Sequence, residues 1–165
     1  MDTFETLTTA FIFTDGACIG NPGPGRYAAI TLIGGGERIV SGRDPDTTNN
    51  RMELMAAIRA LEELPAGIKA AVLSDAQYLV KGMSEWLAAW KRRGWRTKTK
   101  RPVLNQPLWE RLDRLAAQRE VTWTWVKGHS GHELNERADS LATAEALRAA
   151  DESGWRAPNG RAWVF

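Results

Sequence analysis

Apolar and polar positions divide the chain into two regimes. In the first, short apolar runs alternate with glycines. "FIFTDGAC" (residues 11–18) predicts a buried strand. "GRYAAITLIGG" and "ERIVSGR" predict two more, joined by a turn at Gly34-Gly35-Gly36. Links this short require antiparallel pairing. From residue 47 onward the period changes. "TTNNRMELMAAIRALEELP" sets Leu54, Ile58 and Leu61 on one helical face, and Pro65 and Gly67 close that helix. "KAAVLSD" is a fourth short strand. "AQYLVKGMSEWLAAWKRRGW" predicts a helix broken near Gly82. "LNQPLWERLDRLAAQRE" predicts another, with Pro107 near its start and Leu108, Leu112 and Leu115 on one face. "VTWTWVKG" alternates as a fifth strand, and "NERADSLATAEALRAA" is a final helix. Helical crossovers between the later strands imply parallel pairing. The expected class is α/β, a mixed five-stranded sheet with helices packed on it.

Composition narrows the setting. The 165 residues fit one domain, expected over 1–150, followed by a tail at 151–165. That tail breaks helix at Gly154, Pro158 and Gly160 yet carries Trp155, Trp163 and Phe165. No apolar run approaches the ~18–20 residues of a membrane span. The N-terminus lacks a basic-then-apolar leader, and Cys18 is the lone cysteine, which excludes an intrachain disulfide and a Cys-x-x-Cys zinc cluster. These features favour a cytoplasmic protein.

Charge adds a partner. The net charge is +2, but "KRRGWRTKTKR" (91–101) holds seven of the 22 basic residues and no acid, leaving 15 basic against 20 acidic side chains elsewhere. One concentrated basic segment on a mildly acidic body suggests a polyanion, although a solvated helix end would read the same.

The acids suggest chemistry. Asp15 and Asp75 are each expected at the carboxyl end of a strand, the edge where open α/β sheets bind ligands. Carboxylates brought that close repel unless a cation neutralises them, and hard oxygen ligands suit magnesium or manganese. Glu53, early in the first long helix, and Asp139, early in the last, can complete such a site. Singly, Glu53 is explained as a partner of the helix dipole and Asp75 as a turn former; the combination is more specific. His129, on the glycine-flanked loop "KGHSGHE", can move a proton near a phosphate. His132 has no third nearby ligand for zinc. The glycines of "GNPGPG" do not form a nucleotide loop, since no Lys-Ser/Thr pair and helix follow.

Together "TDGACIGNPGPGRYAAI", "TTNNRMELMAAI", "SDAQYLVKG", "WKRRGWRT", "KRPVLNQPLW" and "WTWVKGHSGHELNERAD" resemble bacterial ribonuclease H, type 1, in order and over residues 10–145. The resemblance implies the ribonuclease H-like fold, with helices on both faces of the sheet. It implies an endonuclease that hydrolyses the RNA strand of RNA–DNA hybrids, leaving 5′-phosphate and 3′-hydroxyl ends. It implies Asp15, Glu53, Asp75 and Asp139 as ligands of two magnesium ions, replaceable by manganese, and His129 in proton transfer and product release. It further implies a monomer. Asn21, Asn50 and Gln77 match minor-groove readers, Thr48 and Asn49 a DNA-phosphate pocket, and Trp86 an aromatic against DNA sugar. Lys91, Arg92, Arg93, Arg96, Lys98 and Lys100 match a basic protrusion, within which Trp90 and Trp95 are expected to pack rather than bind. In one departure, Asp46 stands where many relatives carry arginine, which weakens DNA-strand binding unless Arg43 or Arg51 substitutes. Two alternatives remain at this stage: another nuclease on the same fold, and a non-catalytic module binding hybrid or double-stranded RNA.

Overall fold

The first three strands are joined by tight connections because glycine permits them. In the computed structural model, which describes residues 9–127 with Arg137 and Ala138, strand β1 spans Thr9–Cys18, β2 Gly23–Ile33 and β3 Gly36–Thr47. The β2–β3 turn is Gly34-Gly35, with φ of 56° and 77°, where a side chain would be strained. Helix α1 (Asn49–Glu62) follows, then β4 (Lys69–Ser74), α2 (Gln77–Lys81), a π-helical turn (Gly82–Trp86), α3 (Leu87–Arg92), α4 (Gln106–Ala117) and β5 (Glu120–Trp125). The sheet order is β3-β2-β1-β4-β5. β1 and β3 pair antiparallel to β2, while β4 pairs parallel to β1 and β5. This is the expected mixed sheet.

Register decides which residues meet. Ile12 lies opposite Val72, and Val72 opposite Trp123, so alternate positions of β1, β4 and β5 line one face. Against it pack Leu54, Ile58 and Leu61 of α1 and Trp109 and Leu112 of α4. Each large apolar side chain so buried contributes about 1.5–3 kcal/mol. Phe13 and Ile30, on the opposite face, are buried too, so the apolar run of β1 does not alternate with polar residues. Ala138 is fully buried, and the Arg137 guanidinium grips both carboxylate oxygens of Glu37 on β3, at 3.0 and 2.6 Å. Both residues are helical.

Helix α1 starts at Asn49, within the polar stretch "TTNN" that the sequence suggests as a loop. Thr48 is extended, and its Oγ1 accepts the Arg51 N–H at 3.2 Å, an N-cap worth about 1 kcal/mol. Pro107 falls in the first turn of α4, where its missing N–H costs nothing.

The expected break at Gly82 is not found. Its backbone is helical, at φ −56° and ψ −51°, and α2 runs through the π turn into α3. Gly82 is required by packing instead. A Cβ there would lie 2.0 Å from the ring of Trp109, which is wholly buried. Trp109 in turn stacks at an angle on Trp90, with centroids 5.2 Å apart. Trp90 and Trp95 both pack against the core, as the sequence suggests. Gly82→Ala is therefore expected to destabilise the fold by about 3 kcal/mol, read as a lowered urea midpoint with unchanged m-value.

Candidate active site

Strand register brings the first two acids together. The parallel pairing of β1 with β4 ends at Thr14 opposite Ser74, so Asp15 and Asp75 are the next residue on each chain. Asp15 is not at the end of its strand, contrary to expectation. β1 continues to Cys18 because its antiparallel neighbour β2 keeps pairing, through Cys18 opposite Gly25. The carboxyl edge lies at Asp15 only relative to β4.

Glu53 arrives from α1. It is the fifth helical residue, and no acid occupies the first turn, so complementing the helix dipole does not explain it. Its approach depends on Gly16. A Cβ on Gly16 would lie 2.6 Å from the Glu53 backbone nitrogen and 2.7 Å from the Met52 carbonyl carbon. The absent side chain lets the helix backbone rest on the strand next to Asp15. The sequence carries a signal for this, a glycine directly after the aspartate, but nothing local shows what fills its space.

Burial, then the neighbouring charge of Asp75, pushes the Glu53 carboxyl up to about 7. Glu53 Oε2 is buried and accepts no hydrogen bond among the described residues. Such an oxygen, beside further carboxylates, suits a hard divalent cation. Among the described residues no three His, Cys, Asp or Glu side chains by themselves form a metal cluster. Asp139 and His129 lie outside the described residues, as do His132 and the tail at 151–165.

The substrate candidates surround this edge unevenly. Asn21, in the loop between β1 and β2, accepts the Asn49 N–H on its Oδ1 at 3.0 Å, tying the loop to the first turn of α1. The Cys18 thiol donates to the carbonyls of Gly23 and Thr47, at 3.4 and 3.3 Å, and fastens the same loop to the end of β3. Asn50 is half-buried in α1, and Gln77 is exposed at the start of α2, two residues past Asp75. Trp86 is half-buried in the π turn, 5.8 Å from the Trp90 ring centre. A groove of about 550 Å³ runs between it and the basic loop, its lining including Glu85, Trp86, Trp90, Arg93, Thr97 and Lys98.

The cations at the end of α3 and in the loop after it differ. Lys91 pairs with Asp113 at 2.9 Å, and Arg96 donates to the Lys100 carbonyl at 3.0 Å. Arg92, Arg93, Lys98 and Lys100 are exposed. The loop is braced to α1 by a chain that the sequence does not reveal. Arg51 donates to Asn105 Oδ1 at 3.3 Å, and Asn105 Nδ2 and Trp109 Nε1 each donate to the Tyr78 hydroxyl at 3.1 Å. Asp46 is exposed, its N–H held at 2.9 Å by the Asp44 carboxylate.

Comparison with known proteins places this arrangement. The model of the RNase H family matches residues 8–147. The chain belongs to the ribonuclease H family. It is 58% identical over 130 residues to Ribonuclease H of Halorhodospira halophila, covering 79% of this chain and 87% of that one. It is 55% identical over 140 residues to Ribonuclease HI of Caulobacter vibrioides, covering 85% and 93%. Among solved structures, LC9-RNase H1, a type 1 RNase H with the type 2 active-site motif, superposes with a TM-score of 0.77 at 32% identity, covering 86% of this chain and 73% of that one. LC11-RNase H1 in complex with RNA/DNA hybrid superposes with a TM-score of 0.66 at 25% identity, covering 85% and 98%.

Two outcomes follow for this ribonuclease H. Gly16→Ala separates α1 from β1, and a displacement near 1 Å is expected to lower hybrid cleavage about 100-fold while circular dichroism retains the helical signal. Glu53→Gln changes stability with pH. A carboxyl raised to about 7 in the fold, above its ordinary 4.5, binds its proton more tightly folded than unfolded. Its stabilisation is complete below about pH 4.5 and is lost as pH rises through 7. In chelator, the Gln variant should show a flatter dependence of unfolding free energy from pH 5 to 8. At pH 8 it should exceed the parent by about 1–3 kcal/mol.

Proposed function

We propose that the chain cleaves the RNA strand of RNA–DNA hybrids with Asp15, Glu53, Asp75 and Asp139 as ligands of two magnesium ions, manganese serving in their place. The observation that supports this reading is that Asp15 and Asp75 follow the last β1–β4 pair side by side, with Glu53 near enough to Asp75 for its charge to raise the Glu53 carboxyl, in a chain of the ribonuclease H family. When bound, divalent ions supply positive charge to the attacking and leaving oxygens of a phosphodiester. The chain's own residues do the rest. Asp15 and Asp75 present carboxylates from adjacent strands, and α1 presents Glu53 across from them. His129 serves as the proton carrier for product release.

Substrate choice is assigned to the polar rim. Asn21, Asn50 and Gln77 read the minor groove, where the 2′-hydroxyl distinguishes RNA from DNA. The Asn21 amide NH2 serves as its reader, since Oδ1 accepts from Asn49. Thr48 and Asn49 take a DNA-strand phosphate, and Trp86 takes a sugar. The exposed cations Arg92, Arg93, Lys98 and Lys100 attract the backbone, a contribution that falls with salt. Lys91 acts chiefly by tying α3 to α4 through Asp113, and Arg96 by shaping the loop between them. Among the described residues no helix is long and apolar enough to cross a membrane. A cytoplasmic monomer is the setting that this reading takes.

A magnesium titration of labelled substrates tests it. RNA in a hybrid should be cut to products with 5′-phosphate, while single-stranded RNA and duplex DNA survive. Asp15→Asn should lower the rate at least about a thousandfold, near 4 kcal/mol of barrier. Cleavage that persists in chelator, or equal cutting of single-stranded RNA, would end the proposal.

A further inference from the structure

Trp125 ends β5 at the same sheet edge as Asp75, its β4 partner being Ser74. The residue is 46% exposed, so burial does not account for a large apolar side chain at this point. A hydrogen bond does. The indole Nε1–H donates to the backbone carbonyl of Asp75 at 3.1 Å.

The neighbouring peptide groups are held as well. The Val126 N–H donates to the Ser74 carbonyl at 2.9 Å, the last rung between the two strands. The buried Ser74 Oγ accepts the Ala76 N–H at 3.1 Å. β4 stops at Ser74, and the peptide group after Asp75 is held by two side chains, Trp125 donating to the Asp75 carbonyl and Ser74 Oγ accepting the Ala76 N–H. The Val126 rung holds the peptide group before Asp75. A backbone fixed on both sides restricts the rotamers open to the carboxylate between them.

We infer that Trp125 is a positioning residue, whose indole N–H holds Asp75 in the orientation needed to bind a divalent cation. The inference rests on the assignment of Asp75 as a metal ligand given above. The tryptophan acts through the Asp75 backbone and does not touch the reacting phosphate. It extends to the main chain the general rule that groups behind a ligand set its geometry.

Trp125→Phe keeps an aromatic ring and removes the donor. Manganese binding to the full chain, by calorimetry, should weaken about 3- to 10-fold, the lower end of such effects. Hybrid cleavage should fall at subsaturating manganese and recover at high manganese, with KM for hybrid unchanged at saturation. If thermal unfolding shows the variant destabilised, benzothienylalanine at position 125 removes only the N–H and repeats the test. Unchanged manganese affinity overturns the inference. So does a raised KM at unchanged manganese affinity, which would make the exposed ring a substrate surface. Asp75→Asn is measured alongside. If it also leaves manganese binding intact, the assignment of Asp75 itself fails; if it abolishes binding while Trp125→Phe does not, the positioning role alone fails.

Discussion

The backbone of α1 lies directly on Gly16, and the site depends on that contact. Burial of Leu54, Ile58 and Leu61 presses the helix onto the sheet, but how closely it settles is limited by what stands beneath it. With no side chain at residue 16, the peptide of Glu53 reaches the strand beside Asp15. The hydrophobic core therefore provides the force, and a missing methyl sets the distance. The cost is electrostatic. Burial and the charge of Asp75 raise the Glu53 carboxyl to about 7. A divalent cation bound there would relieve the same repulsion, which would link its binding to the stability of the fold.

Much of this was legible in the sequence because it is local. The glycine turn between β2 and β3, the Leu54-Ile58-Leu61 face and Pro107 in the first turn of α4 all follow from residues a few positions apart. Of the four acids read as a set, the fold sets Asp15 and Asp75 side by side and brings the α1 backbone at Glu53 beside them, while Asp139 lies outside the described residues. What stayed hidden was decided by distant partners. β1 passes beyond Asp15 because β2 goes on pairing with it. Gly82 reads as a helix breaker until Trp109 is seen to occupy its side-chain space. Asn21 reads as a minor-groove contact, yet its Oδ1 accepts from the first turn of a helix 28 residues on. Lys91 counts toward a basic patch by sequence and toward an ion pair with Asp113 in the fold.

The substrate-facing elements are not independent attachments. Arg51, one turn from the cap of α1, reaches Asn105, and Asn105 reaches Tyr78 beneath the aromatic wall. Asn105 adopts the left-handed conformation, φ 61°, at the N-cap position of α4. The helix that presents Glu53, the groove beside Trp86 and the base of the basic loop thus share one partly buried polar chain. Partly buried chains of this kind resist piecemeal movement, because each broken bond strands a group away from water.

The π turn between α2 and α3 acts on the chain as a change of phase. A single added residue rotates everything after it by about 100° around the helix axis relative to an uninterrupted α-helix. Trp86, Trp90 and the departure point of the basic loop all lie within or beyond that turn. The direction in which the cationic segment leaves the body is accordingly written in a five-residue stretch of backbone, Gly82–Trp86, rather than in the loop's own charges.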